Sequence, residues 1–180
     1  SPHLEGFKSK DIDVLLMTDP IDAFWMSQMA QFNDKKFISI SRDTYDLSEI
    51  GPKETKAPKK SKAAKGTIEL IKSHIEDLVA DVVESTSLVD SPVRLVASEG
   101  GLDFNLERIL KAQNPEYEGT KKVLEINTSH ELIKKLPKKS MDVQKALSRV
   151  LFEQARILDG EMPSDAQKFS EDLITVSLND

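Results

Sequence analysis

Hydrophobic positions in this chain recur mostly at helical spacing, broken by short apolar runs. Ile68, Ile71, Ile75 and Leu78 follow one another at intervals of 3, 4 and 3, which predicts an amphipathic helix. The runs "DVVEST" (81–86), "VRLVAS" (93–98) and "KKVLEIN" (121–127) predict three strands, with a turn around Asp90-Ser91-Pro92 between the first two. "SHELIKKL" (129–136) predicts a short helix. Two longer helices close the chain. One, over about 140–159, has Ser140 as a candidate cap and apolar Val143, Leu147, Val150, Leu151 and Leu158. The other, over about 164–178, carries Phe169, Leu173, Ile174, Val176 and Leu178. The short Gly160-to-Pro163 connection predicts an antiparallel hairpin. Upstream, 1–41 has a βα pattern. "DVLLM" (13–17) predicts a buried strand. Asp19 as cap and Pro20 at the first helical position predict a helix running to about Phe32, and "KFISIS" (36–41) predicts a second strand.

Three places carry more apolar side chains than one buried face needs. In the helix predicted over 102–113, Leu102, Leu106, Ile109 and Leu110 share a stripe and Phe104 lies roughly opposite. In the 20–32 helix, Phe24, Trp25 and Met26 are consecutive, and Met29 follows. Consecutive bulky residues cannot all point at one core. The terminal hairpin is the third place. Two helices cannot cover two apolar stripes alone, and a two-fold copy is the simplest cover. A stable dimer of this kind buries on the order of 1,200–2,000 Å².

Composition narrows the function. The chain has 180 residues, 31% of them charged, and a net charge of −6, which argues against a general nucleic-acid binder. No run approaches the roughly 18 apolar residues of a membrane span. The chain opens without Met or a secretory signal, which suggests an excised piece of a longer protein. Cysteine is absent, which removes disulfides, thiolate metal sites and cysteine nucleophiles and fits a reducing compartment. Residues 51–66, "GPKETKAPKKSKAAKG", hold six Lys against one Glu. With no large apolar residue they read as a solvated linker or loop. Candidate chemistry is thin. His130-Glu131 begins like a zinc-protease helix but lacks a second His at 134. Ser98-Glu99-Gly100-Gly101 lacks the longer phosphate-loop pattern. Asp19 and Asp22 are explained by a helix N-terminus. No catalytic, cofactor-binding or metal-ligating set is expected.

The stretches "SPHLEGFKSKDIDVLLMTDPIDAFWM", "LVDSPVRLVASEGGLDFNLERILKAQ" and "VLEINTSHELIKKL" resemble the ninety-kilodalton heat-shock chaperones, in the right order over almost the whole chain. The ending "SLND" lacks the acidic tail of the eukaryotic cytosolic members and looks like the bacterial form. That puts docking of tetratricopeptide co-chaperones in doubt. The resemblance implies an α+β fold in three parts: 1–41 as the α/β end of a middle domain, 42–66 as a Lys-rich linker, and 67–180 as a dimerisation domain. That domain would hold a three-stranded sheet, flanking helices and a terminal hairpin forming a four-helix dimer interface. The resemblance further implies a cytoplasmic, homodimeric stress-response chaperone. ATP and Mg would be bound and used by an N-terminal domain outside this chain, with no enzyme activity here. By motif position, Phe24, Trp25, Met26, Leu102, Phe104, Leu106, Ile109 and Leu110 would face non-native client proteins. Phe104 stands where the family pattern leads one to expect a small or polar residue. The dimer contacts would come from the apolar residues of the last two helices. The alternative is a purely structural dimerisation module, with the 102–113 helix packed as core. Neither reading involves nucleic acid or membrane.

Overall fold

The computed structural model describes residues 1–19, 21–29, 31–40, 47, 62–98, 104–114, 117 and 119–179. The side chains of 23, 27, 62, 63, 104–106 and 108 fall outside that description. The chain opens with a 3-10 turn, Pro2–Leu4, and helix α1, Glu5–Ser9. Helix α2 (Asp22–Gln28) and a hairpin of strands β1 (Gln31–Phe32) and β2 (Lys35–Lys36) follow. Next come α3 (Lys62–Ile75), β3 (Asp81–Glu84), β4 (Val93–Val96) and α4 (Phe104–Gln113). Strand β5 (Val123–Ile126), α5 (Glu131–Lys135), α6 (Met141–Leu158) and α7 (Ala166–Leu178) complete the order. The fold is α+β.

The principal core is a sheet under two helices. β5 lies between β3 and β4, parallel to β3 and antiparallel to β4. Strand side chains alternate between faces, so Val82, Val93, Leu95, Leu124 and Ile126 point one way. There they meet Ile71 and Ile75 of α3 and Leu147, Leu151, Phe152 and Ala155 of α6. The predicted stripe of α3 is thus this core, with Ile68 and Leu78 partly buried at its edge. Out of phase, Arg94 and Glu125 pair directly across β4 and β5. A second, small core holds Phe7 and Leu47, with Ile12, Val14 and Ile40 against it.

The amino-terminal predictions need correction. Residues 13–17 form no strand: Leu15 and Leu16 are 73% and 69% exposed, and no described strand pairs with them. An apolar run becomes a strand only where a neighbour takes its backbone groups. Helix α2 is shorter at both ends than predicted. Asp19 Oδ1 accepts the Ile21 N–H and Asp22 Oδ2 accepts the Asp19 N–H, so the acids hold the turn before the helix. The other end is cut by Asn33 and Asp34, both at positive φ (47° and 61°). That is the two-residue turn that matches strand twist, and it pairs 31–32 with 35–36 instead of extending a strand over 36–41. Of the predicted linker, Lys62–Gly66 belong to α3 and Leu47 is buried; 42–46 and 48–61 lie outside the described residues.

Candidate interaction surfaces

The terminal hairpin is built around a tight turn. Helix α6 ends with Gly160 at φ 84°, which a Cβ disfavours. The Glu161 N–H bonds the Arg156 carbonyl and the Gly160 N–H bonds the Ile157 carbonyl, each at 3.0 Å. This is the double closure that ends a helix at a left-handed glycine. Asp165 caps α7 by accepting the Lys168 N–H at 2.9 Å. Ser140 stands at the predicted cap of α6 but makes no side-chain cap bond.

Glu161 fastens the turn to the body. Its Oε1 takes Lys122 Nζ at 2.6 Å and lies 3.8 Å from Lys111 Nζ; its Oε2 takes Arg156 Nε at 3.0 Å. Burial alone would raise this carboxyl's pKa; the lysines and Arg156 outweigh it and hold the group below its ordinary value. Glu153, buried on α6, accepts from the Ser164 N–H and hydroxyl and from Arg156. Inside the hairpin, Lys168 lies 3.3 Å from buried Asp172, whose hydrogen bond and charge raise the lysine's pKa.

The predicted dimer residues divide sharply. Val143, Leu147 and Leu151 are buried within this chain, each at 4% exposure or less. Their periodicity marks the core face of α6, which sequence spacing cannot tell from an interface face. Val176 is partly buried against the same core, and Val150 and Phe169 are partly buried. Leu158, Leu173, Ile174 and Leu178 are exposed, Ile174 at 57% and Leu178 at 79%. Ile157, Met141 and Met162, which the periodicity passed over, are exposed as well.

The other surface divides likewise. Phe24 and Trp25 are 51% and 45% exposed on α2, with Met26 partly buried. Leu102 and the side chains of Phe104 and Leu106 lie outside the described residues; Ile109 and Leu110 are partly buried. No described side chain of α4 belongs to the principal core. The helix is held by buried Glu107, whose Oε1 accepts the Thr120 N–H at 3.0 Å and its hydroxyl at 2.7 Å.

Residues 1–179 match the Hsp90 protein family. The chain belongs to that family. Chaperone protein HtpG of Nitrobacter winogradskyi is 39% identical to it over 97% of this chain and 28% of that relative. The HtpG of Roseobacter denitrificans is 40% identical over 94% of this chain and 29% of its own length. The HtpG of a Wolbachia from Brugia malayi is 37% identical, over 96% and 29%. This Hsp90-family chain therefore spans under a third of the length of these curated relatives.

Within this Hsp90-family chain, several working side chains had no sequence signal. Glu5, Glu107, Glu153 and Glu161 look like any solvated acid, because Glu5 meets 89–91, Glu107 meets Thr120, Glu153 meets Ser164 and Glu161 meets Lys122 only in the fold. His130 has a local role: it caps α5, its Nδ1 accepting the Leu132 N–H at 3.1 Å. Among the described residues no group of three or more His, Asp or Glu could hold a metal ion, and no helix is long and apolar enough to cross a membrane.

Proposed function

We propose that this chain is the dimer-forming, client-holding end of an Hsp90-type molecular chaperone. The observation that carries the reading is the outward side of the terminal hairpin, where Leu158, Leu173, Ile174 and Leu178 remain exposed while the inward side completes the core. A second copy related by a two-fold axis covers such a strip with an identical strip. Phe24 and Trp25 on α2, with Ile109 and Leu110 on α4, then offer apolar area to non-native proteins. Aromatic and Met side chains suit a surface that must fit many partners. Pairing two chains doubles the number of such surfaces and adds avidity.

ATP and Mg belong to the longer protein in this reading, and no step is assigned to them here. Three converging backbone N–H groups at 89–91 are the described geometry closest to a phosphate cradle. They are filled by the Glu5 carboxylate, so among the described residues this nest is closed to a phosphate.

Light scattering on the intact protein tests the dimer. Wild type should give the mass of two chains at micromolar concentration. Ile174→Asp with Leu178→Asp should give one. A wild-type mass of a single chain overturns the interface. Aggregation suppression tests the second surface: Phe24→Asp and Leu110→Asp should weaken it while leaving the dimer mass unchanged. Unimpaired suppression by both would favour a purely structural dimerisation module.

A further inference from the structure

Glu5 reaches from α1 to the loop joining β3 and β4. Its Oε2 accepts the backbone N–H groups of Val89 (3.0 Å), Asp90 (2.9 Å) and Ser91 (3.0 Å), and its Oε1 accepts the Ser91 hydroxyl. Three successive N–H groups turned toward one point make a backbone nest for an anion. Here the anion is a side chain of the same molecule, 84 positions upstream of Val89. The carbonyl side of the loop is held separately. Asn127 Nδ2 donates to the Val89 and Ser91 carbonyls at 3.0 and 3.3 Å, and the Asn127 N–H to the Pro92 carbonyl at 2.8 Å. The loop is thus fixed to the sheet by Asn127 and to α1 by Glu5. Burial opposes ionisation of Glu5, but the four hydrogen bonds prevail and keep its carboxyl below the usual pKa.

Other contacts define how the segment sits. Gly6 lies so close to the loop that an added methyl would overlap Leu47 Cδ1 and the Ser87 carbonyl oxygen. At the far end of the segment, His3 Nε2 is 3.0 Å from Asp159 Oδ1 at the end of α6. Among the described residues the amino-terminal part has only Phe7 and Leu47 as a hydrophobic core of its own, so the attachments of residues 1–9 bear on its orientation. Neither Glu5 nor residues 89–91 belong to the principal core, and Val89 and Asp90 are exposed. The Glu5 contact can therefore open without disturbing the sheet.

We propose that Glu5 in the 89–91 loop is a releasable latch that fixes residues 1–9 to the sheet-and-hairpin body. Opening it leaves the segment held at its other end through His3 and Asp159. The four hydrogen bonds to Glu5 are lost together, and the loop keeps its shape through Asn127. The latch stands on these contacts alone and does not depend on what the apolar surfaces hold.

Hydrogen exchange read by mass spectrometry on the intact protein tests it. In Glu5→Gln, a neutral acceptor replaces the carboxylate. Exchange should speed up about tenfold or more both at 89–91 and across 4–12, while 123–126 in β5 keeps its wild-type rate. Gly6→Ala leaves the carboxylate in place but wedges α1 from the loop, and it should give the same paired acceleration. Acceleration at 89–91 without 4–12, or no acceleration, overturns the latch. If Glu5→Gln speeds exchange everywhere, Gly6→Ala decides by the same criterion. A general acceleration in both variants makes Glu5 an ordinary stability residue and overturns the proposal.

Discussion

Arg94 and Glu125 face each other across β4 and β5, sealed from water, with Nε and Oε2 2.7 Å apart; the Ser85 hydroxyl donates to the same oxygen at 2.8 Å. Removing one member of a buried pair strands the other charge. Glu125→Ala should therefore cost about 3–5 kcal/mol in urea unfolding. The double change Arg94→Met with Glu125→Leu should recover most of that loss, since apolar side chains of similar size have no charge to desolvate. Glu161 makes a different prediction. Its carboxyl is held below the ordinary value of 4.5, so the folded chain binds fewer protons there than the unfolded one. The stabilisation is complete above about pH 4.5 and is lost as pH falls through the folded value. Urea midpoints measured from pH 7 downward should fall less steeply in Glu161→Gln than in wild type, and at pH 7 that variant should lose about 1–3 kcal/mol. None of these partnerships was legible in the sequence. An acid's spacing says nothing about a cation 39 positions away, and Lys122 meets Glu161 only because the start of β5 and the hairpin turn are brought together.

At the scale of elements, the longer helices were legible, while α1 and the short strands were less so. The α3 and α6 stripes repeat over several turns, and Ile71 and Ile75 of α3 and Leu147 and Leu151 of α6 end in the core. Helices make their hydrogen bonds internally, so periodicity over one segment suffices. Strands borrow theirs. The runs at 81–84, 93–96 and 123–126 found one another, whereas 13–17 found no described neighbour. The turn after α6 was legible through Gly160, and it is testable. Nothing lies within 4 Å of a Cβ placed there, so Gly160→Ala meets no clash, only the left-handed backbone. It should lower stability by about 1 kcal/mol, read as a small drop in Tm. A larger loss would mean that the turn carries more than backbone conformation. Periodicity failed where it was asked for a destination. Leu147 and Leu158 both fit the α6 pattern, yet one is core and the other exposed.

For the whole molecule, the proposed pairing through the hairpin links stability to concentration. α6 supplies the core on one side, and α7 offers its outward residues on the other. A partner that binds only the folded hairpin stabilises it by mass action. Tm should rise across a hundredfold increase in protein concentration, and Ile174→Asp with Leu178→Asp should abolish the rise. The order of the sheet has a consequence of another kind. Its middle strand, β5, is the last of the three in sequence, and β3 and β4 do not touch each other. Asp81 must wait for Val123, and Val96 for the same residue. A chain synthesised only as far as residue 122 has both outer strands and nothing to join them, while α6, which roofs them, is still unmade. During those seconds on the ribosome Val82, Val93 and Leu95 have no core to enter. A protein proposed to shelter the unfinished chains of others passes through the same exposed state while it is being made.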